Sequence, residues 1–595
     1  MHDQPFDTNS QAVPPLPKQG SGAHFPSTRT GKAGAARAPG PGLSVPLWLV
    51  WLTALLFVAA GLGGAGLLDN NEGLYAEIPR EMLASGDWRM WVIPHLNGLP
   101  YMEKPPLLYW LTAVSFALFG YTEWAARLAP ALAALSCVGM LLWFGKAVGR
   151  PLAGRLAALM FISGLGVAVM SRLLMFDMLL TALLTAALMC AYLFLSQARR
   201  GLLRWSYGWL ALAVLAKGFV ALVLYGLVLL AFLVAMHGFT SRFWRAVASL
   251  FEPGALLAFA LIAAPWHLLA SMVEPVFAWF YFINEHVLRF LGKREPHDYY
   301  SGAWWYYLPR MAIYLFPWSF LVFGLRGHGD RQWADASRTL RRFLFLAWLM
   351  PLLFFSVSRA KANYYLVAVM PFVAMHLALA LENRGLQRRA VRVWPGVAIA
   401  LLAIVLCVVA ALRHGDLDTA VQFLRMTQRQ FLIMLFGGMA LCAAAAALLA
   451  WRLPRVGLLA YLLPPAWTGF ALYLLLLAMQ PMVSTRELAA YLKREQPGRT
   501  VYLYSKFEEQ STLPFYMERP LPVVDSHSND LYWGARLRPD NNIMLSDEQF
   551  ARVLAEGRPV AIAVMNRQLS DFRARPYAAR FGNTKRIGDT TLFMN

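Results

Sequence analysis

One feature constrains this chain more than any other: apolar blocks long enough to cross a bilayer recur as far as residue 479. A helix rises about 1.5 Å per residue, so about 20 apolar residues span ~30 Å of hydrocarbon. Within hydrocarbon every backbone polar group needs a partner inside the protein, which leaves helices or closed barrels. A barrel would show short alternating segments, and these blocks do not alternate. The expectation is an all-α polytopic membrane protein. Spans are expected at 46–66, 125–147, 153–171, 177–197, 205–216, 218–236, 254–273, 304–325, 341–357, 363–381, 394–412, 430–450 and 456–479, about thirteen in all. The 205–236 stretch is interrupted by Lys217-Gly218 and reads as two short spans. The run at 105–120 opens on a Pro pair, is short, and reads as interfacial or re-entrant. Length alone would suggest several soluble domains. A composition of 58% hydrophobic and 15% charged residues rejects that.

The formal net charge of +21 sits largely in short loops. "KAVGRPLAGR", "SQARRGLLR", "HGFTSRFWR", "RGHGDRQWADASRTLRR", "ENRGLQRRAVR" and "WRLPR" fall on one side by parity, together with the N-terminal tail. The positive-inside rule makes that side cytoplasmic, and anionic lipid headgroups add to the attraction. Membrane lipids are therefore the expected partners of this charge, and nucleic acid is not. Residues 1–45 are rich in Pro, Gly, Ala and Ser and read as a disordered basic cytoplasmic tail. Cys137, Cys190, Cys407 and Cys442 lie in apolar blocks without a CxxC pair, so neither a disulfide framework nor a cysteine metal site is indicated. Residues 46–480 make the membrane domain. Residues 481–595 read as a small soluble α/β domain on the outer face, with strands at "TVYLYSKF", "LPVVDS" and "PVAIAVMN" and Ser-capped helices at "STRELAAYLKRE" and "SDEQFARVLAEG". No nucleotide-binding loop is recognised in residues 481–595.

The first outer loop, 67–124, begins "LLDNNEGLYAEIPREML" and carries Asp69, Glu72, Glu77 and Glu81 where the chain leaves lipid. Charge at that boundary is costly unless solvated, paired or in use. Glu103, Lys104, Asp177, Lys217, Glu285, His286, Arg289, Arg359 and Lys361 are assigned to the same face. A lone Asp at a span end is commonly just solvated, and a Glu-Lys neighbour pair is commonly a surface ion pair worth little. Three such features on one face point to a water-filled site. Lys as a point charge and Arg as a fork suit phosphate, so Lys104 and Arg289 could hold the phosphate of a lipid whose tail lies in the membrane. Nearby carboxylates could bind sugar hydroxyls or accept a proton. Tyr101, Trp304 and Trp305 read first as interfacial anchors. "HDYY" has no second His at ligand spacing, so zinc is not indicated there. A transporter of lipid-linked sugars would show internal repeats and polar groups at the bilayer midplane; neither is evident.

At these residues the chain resembles the bacterial GT-C membrane glycosyltransferases of the protein O-mannosyltransferase-like superfamily, nearest to the lipid A aminoarabinose transferases. The resemblance runs through "EGLYAEIPREMLASGDWRMWVIPHLNGLPYMEKPPLLYW", "SRLLMFDMLL", "NEHVLRFLG" and "SRAKANYYLVAVMPFVAM", in order. It implies about thirteen spans, a C-terminal periplasmic domain and a place in the bacterial inner membrane with the active site facing the periplasm. It also implies a sugar donor on undecaprenyl phosphate, and an acceptor such as lipid A, a glycan, a protein or another lipid. A monomer is expected. By resemblance Lys104, Arg289, Tyr364, Lys361, Tyr101 and Arg172 would surround the donor's phosphate and sugar, with Glu103 and Asp177 as acids lining the sugar site. The chain departs from the pattern twice. Asn71 stands at the family's principal Asp, followed by Glu72, with Asp69 two residues earlier; Asn284 stands where relatives often have His. Both changes weaken a divalent metal site without removing it, so no cofactor is certain and a divalent cation stays open. Three accounts stay open: Asp69 has taken over the role, no base is needed, or the enzyme is impaired. A phosphate acceptor, already ionised, can attack without a base, so Asn71 favours an anionic acceptor.

Overall fold

The computed structural model describes residues 45–297, 302–324, 335–382, 388–413, 420–421, 426–454 and 456–595. The N-terminal tail, the loop around 325–334 and most of "HDYY" lie outside them. Among the described residues, nine helices are long and apolar enough to cross a membrane: Leu128–Ala147, Phe176–Gln197, Val220–His237, Pro253–Val273, Ser337–Val357, Asn363–Ala380, Arg389–Leu412, Gln428–Arg452 and Gly457–Val483. The other expected spans are shorter or broken. Leu47–Ala59 has 13 residues, and Pro151–Ser163 stops at Gly164 before the short helix Leu165–Met170. Arg200–Lys217 is one 18-residue helix that starts earlier than expected and carries Arg200, Arg204 and Lys217. The expected span 304–325 is not one helix: Tyr307–Tyr314 ends, the chain turns through Phe316-Pro317, and short helices follow from Trp318 to Gly324. Proline lacks the donor that would continue the ladder. Leu107–Phe119 is a 13-residue apolar helix after Pro105-Pro106, about 20 Å long, too short to cross.

Why these elements meet follows from their ends. Phe176–Gln197 is buried along nearly its whole length and sits at the centre of the bundle. The next helix, Arg200–Lys217, runs back beside it after a short turn. The first residues of one and the last of the other therefore share one end of the bundle. Asp177 in a first turn and Lys217 in a last turn each suit the sign of their helix dipole, and they form an ion pair.

The C-terminal part forms a six-stranded sheet in the order Met544–Leu545, Val523–Val524, Thr500–Tyr504, Val560–Met565, Thr590–Met594, Asn583–Ile587. The first four strands are parallel and the last two antiparallel. Strand Val560–Met565 is buried at every position, as a parallel strand covered on both faces must be. The three expected strands are all present.

This domain is bolted to the first loop by polar contacts. Asp69 accepts from the backbone N–H and hydroxyl of Thr512 at 2.9 and 2.7 Å. The Tyr516 hydroxyl accepts from Leu67 N–H at 2.8 Å. Arg80, paired with Glu77, donates to Glu518 O at 3.0 Å. Asn97 both donates to Leu521 O and accepts from Leu521 N–H, at 2.8 and 2.7 Å. Asn97-Gly98 is itself the two-residue turn of a small hairpin, with positive φ at both positions, the geometry that favours Asn-Gly. The hairpin delivers Tyr101 to Lys104 beneath the C-terminal domain.

Candidate functional site

A pocket of about 590 Å³ opens at the end of the bundle where Asp177 and Lys217 meet. Its polar floor is built from four segments. The hairpin exit supplies Glu103 and Lys104, the central helix supplies Asp177, and the following helix supplies Lys217. A π-helix, Trp279–Leu288, supplies Glu285 and His286, with Arg289 one residue beyond. Such wide turns are frequent at functional sites. Tyr364 and Tyr365 close one side, with Lys217 Nζ 5.3 and 4.7 Å from their ring centres. The walls are apolar: Phe219, Val220, Val223, Phe282, Val287, Phe290, Leu291, Phe354 and Phe355. Val223, Val287, Phe290 and Leu291 are also exposed on the outside of the bundle, so the pocket communicates with the surface that lipid would cover.

The charges are organised around Glu285. Its carboxylate accepts from Arg289 at 2.9 Å, pairs with Arg294, and lies 3.6 Å from Lys104. Arg294 also bonds Glu103, which lies 3.5 Å from Lys104. Burial by itself would raise the Glu285 pKa. Arg294, Lys104 and Arg289 outweigh that and hold it far below the usual carboxylate range. A buried carboxylate held ionised by three cations keeps them gathered and oriented at the pocket floor.

The sequence candidates divide in two. Glu103, Lys104, Asp177, Arg289 and Tyr364 line one pocket, as do Lys217, Glu285 and His286. Asp69, Asn71, Glu72, Tyr101, Arg172 and Lys361 do not line it. Asp69 is engaged by Thr512, and burial pushes its pKa up to about 7, the two Thr512 donors pulling the other way. Glu72 makes a buried forked pair with Arg127, at 2.9 and 2.7 Å, and accepts from Leu174 N–H at 2.8 Å. It ties the first loop to the entry of the central helix, a structural duty that its acidity alone could not reveal. Asn71 opens the helix Asn71–Ser85. Arg172 donates to Phe57 O. Lys361 gives its ammonium to the carbonyls of Phe355, Ser356 and Ser358, and burial lowers its pKa. Tyr101 stands just behind the floor, its hydroxyl 3.4 Å from Glu103 and 3.5 Å from Asp530 of the C-terminal domain. Burial first, then Glu103 and Glu508, raise the Asp530 pKa well above the ordinary range.

Arg294 was not singled out from sequence, although the basic run "GKREP" after "NEHVLRFL" carries it. Asp530, in "SND", offered no such signal. Asn284 has a local explanation. Fully buried, it donates to Glu295 O at 2.7 Å and accepts from Glu295 N–H at 3.0 Å. A carboxamide carries a donor and an acceptor on one planar group, and here both close the loop that holds Arg289 and Arg294. The His286 ring nitrogens are likewise engaged, by Tyr281 O and Phe219 N–H. No three His, Cys, Asp or Glu side chains gather as a ligand set among the described residues. Among the described residues, Asn284 and His286 are so committed that they do not complete a divalent site.

Comparison with known proteins agrees with this architecture. Residues 68–281 match the family described as dolichyl-phosphate-mannose-protein mannosyltransferase. The undecaprenyl phosphate-alpha-4-amino-4-deoxy-L-arabinose arabinosyl transferase 1 of Sodalis glossinidius is 36% identical over 345 residues, 56% of this chain and 58% of that protein. The chain thus spans a little under three fifths of that relative's length. The transferase 2 of the same description from Pseudomonas fluorescens is 32% identical over 451 residues, covering 71% of this chain and 73% of its own. The crystal structure of ArnT from Cupriavidus metallidurans bound to undecaprenyl phosphate superposes with a TM-score of 0.75 at 25% identity, over 92% of this chain and 97% of that one. The chain belongs to the family of the undecaprenyl phosphate-aminoarabinose arabinosyl transferases, multi-pass membrane proteins of GT-C fold.

Proposed function

We propose that this protein transfers an amino sugar, 4-amino-4-deoxy-L-arabinose, from undecaprenyl phosphate to an anionic envelope acceptor such as a lipid A phosphate, at the periplasmic face of the inner membrane. One observation carries the reading: an apolar-walled pocket, open toward the lipid-facing surface, ends in Lys104, Lys217 and Arg289. A prenyl chain would lie along Val220, Val223, Phe282 and Phe290, with its phosphate among the cations. The family, and a relative crystallised with undecaprenyl phosphate, support the same donor. The basic loops at the opposite end of the helices support the orientation.

In the reaction an acceptor phosphate oxygen attacks the anomeric carbon of the sugar. A new carbon–oxygen bond forms as the bond to the carrier phosphate breaks, and undecaprenyl phosphate leaves with that electron pair. The anomeric centre inverts. Lys104 and Arg289 stabilise the charge that grows on the leaving phosphate. The acceptor oxygen brings no proton, so neither Asn71 nor Asp69 has to act as a base. Asp177 and Glu103 face the sugar. The test is transfer in vesicles from undecaprenyl phosphate-aminoarabinose to lipid A. Formation of the modified lipid, lost in Lys104→Ala, is expected. A wild-type chain that binds the donor yet modifies no lipid A phosphate would overturn the reading.

A further inference from the structure

The pocket's own charges nearly cancel. Among the described residues, Glu103, Asp177 and Glu285 face Lys104, Lys217 and Arg289, with Arg294 behind, a surplus of one positive charge. One phosphodiester monoanion, the donor's linkage, meets that surplus. A second phosphate in the same space would need cations of its own.

Two such cations stand at the mouth. Arg359 lies between Ser358 and Ala360, both of which line the pocket, and is exposed. Lys293 is exposed, four residues after Arg289. Gly292, the residue before Lys293, is where Arg359 packs. A Cβ at that glycine would lie 2.8 Å from Arg359 Cδ, so the Arg359 stem crosses directly over the backbone there. Gly292 also has φ of +69°, a conformation that other residues resist. Neither the Arg359 nor the Lys293 side chain has an ion-pair or hydrogen-bond partner among the described residues, whereas Lys104, Lys217 and Arg289 all contact carboxylates. Depth agrees as well. Val357, at the end of its helix, and Phe290 and Leu291 are exposed apolar residues adjoining these cations. The mouth is thus apolar on the bilayer side and cationic above, as an amphiphile with phosphate headgroups requires.

We propose that Arg359, packed on Gly292, and Lys293 form an acceptor subsite that takes the phosphate of an anionic glycolipid arriving from the membrane. This rests on the transferase reading above and assigns its second substrate a place. Arg359 supplies a fork for two phosphate oxygens and Lys293 a point charge. Together they hold the acceptor at the rim while the donor phosphate occupies the floor, so two anions are held in succession rather than competing for Lys104 and Arg289.

The test uses the full chain in phosphatidylethanolamine nanodiscs. It measures binding of lipid A 1,4′-bisphosphate, fully dephosphorylated lipid A and undecaprenyl phosphate to wild type, Arg359→Ala/Lys293→Ala and Arg359→Lys/Lys293→Arg. Wild type should prefer the bisphosphate. The double alanine variant should lose that preference, with affinity for the bisphosphate falling roughly 10-fold or more, the scale of one or two charge-assisted contacts. Its affinity for undecaprenyl phosphate should be unchanged, and the charge-conserving variant should retain the preference. An undiminished preference in the double alanine variant overturns the proposal. So does a matching loss of undecaprenyl phosphate binding, or competition by phosphatidylglycerol as strong as by lipid A, which would make the rim a general lipid anchor. Absence of sugar transfer by wild type, with these binding results intact, would instead overturn the reaction assigned above.

Discussion

Glu285 is the residue on which the charge of the pocket turns. It is buried, ionised and shared among Arg289, Arg294 and Lys104. Breaking such a network by removing one charge costs on the order of 3–5 kcal/mol, because the partners stay buried without compensation. Glu285→Gln should therefore lower the melting temperature in detergent by several degrees. Lys104→Ala removes a cation from the same floor but leaves Glu285 paired with two arginines. It should fold and lose donor affinity by about 10- to 100-fold, the scale of a lost charge-assisted contact, as read by undecaprenyl phosphate titration. Asp69 makes a pH prediction. Its folded pKa is about 7 against an ordinary value of 3.8. Between those values the folded chain holds a proton that the unfolded chain has released. Stability from this group is thus greatest in acid, falls as pH rises through that window and levels off above it. Melting curves from pH 5 to 8 should show a smaller decline in Asp69→Asn than in wild type; equal declines would refute the assignment. From sequence, Asp69, Glu72 and Asp177 are all acids at the same boundary. Only tertiary contacts separate Asp177, which faces the pocket, from Glu72, spent on Arg127, and Asp69, spent on Thr512.

At the scale of elements, two short devices aim the site. The Asn97-Gly98 hairpin carries Glu103 and Lys104, and the π-helix Trp279–Leu288 with its following loop carries Glu285, Arg289 and Arg294. A strip of the C-terminal domain grips that second loop. Tyr532 donates to the Glu295 carboxylate at 3.0 Å, Trp533 donates to Glu295 O at 2.9 Å, and the Trp533 ring packs on Trp279 and Phe280. Trp533→Ala removes one hydrogen bond and the packing on Trp279 and Phe280 that steadies the arginine loop. Donor affinity should fall roughly 5- to 30-fold, corresponding to about 1–2 kcal/mol, measured by the same titration. The apolar spans were legible because hydrophobic length is a strong signal. The Asn-Gly turn was equally legible in "HLNGLP" and was passed over. The break at Phe316-Pro317 was harder to read, since Pro265, Pro351 and Pro395 lie inside continuous helices. Whether a proline breaks a helix is settled by what its neighbours can satisfy, which is a tertiary matter.

For the whole molecule, the soluble domain is part of the site's frame rather than an appendage. Asp69, Asn97 and Arg80 join it to the first loop, Tyr532 and Trp533 join it to the arginine loop, and Asp530 approaches Glu103 through Tyr101. Its strands and caps were readable locally. Its docking was not, because no periodicity encodes which surface meets which. In the proposed reaction one pocket, made by these converging parts, holds a prenyl carrier's phosphate over a bed of three cations. A cryo-electron microscopy structure of the full chain with undecaprenyl phosphate tests it most directly. The account predicts the phosphate within hydrogen-bond reach of Lys104 and Arg289, with the isoprenoid chain against Val220, Val223 and Phe290. A carrier bound elsewhere on the bundle, with this pocket holding no phosphate, would contradict it.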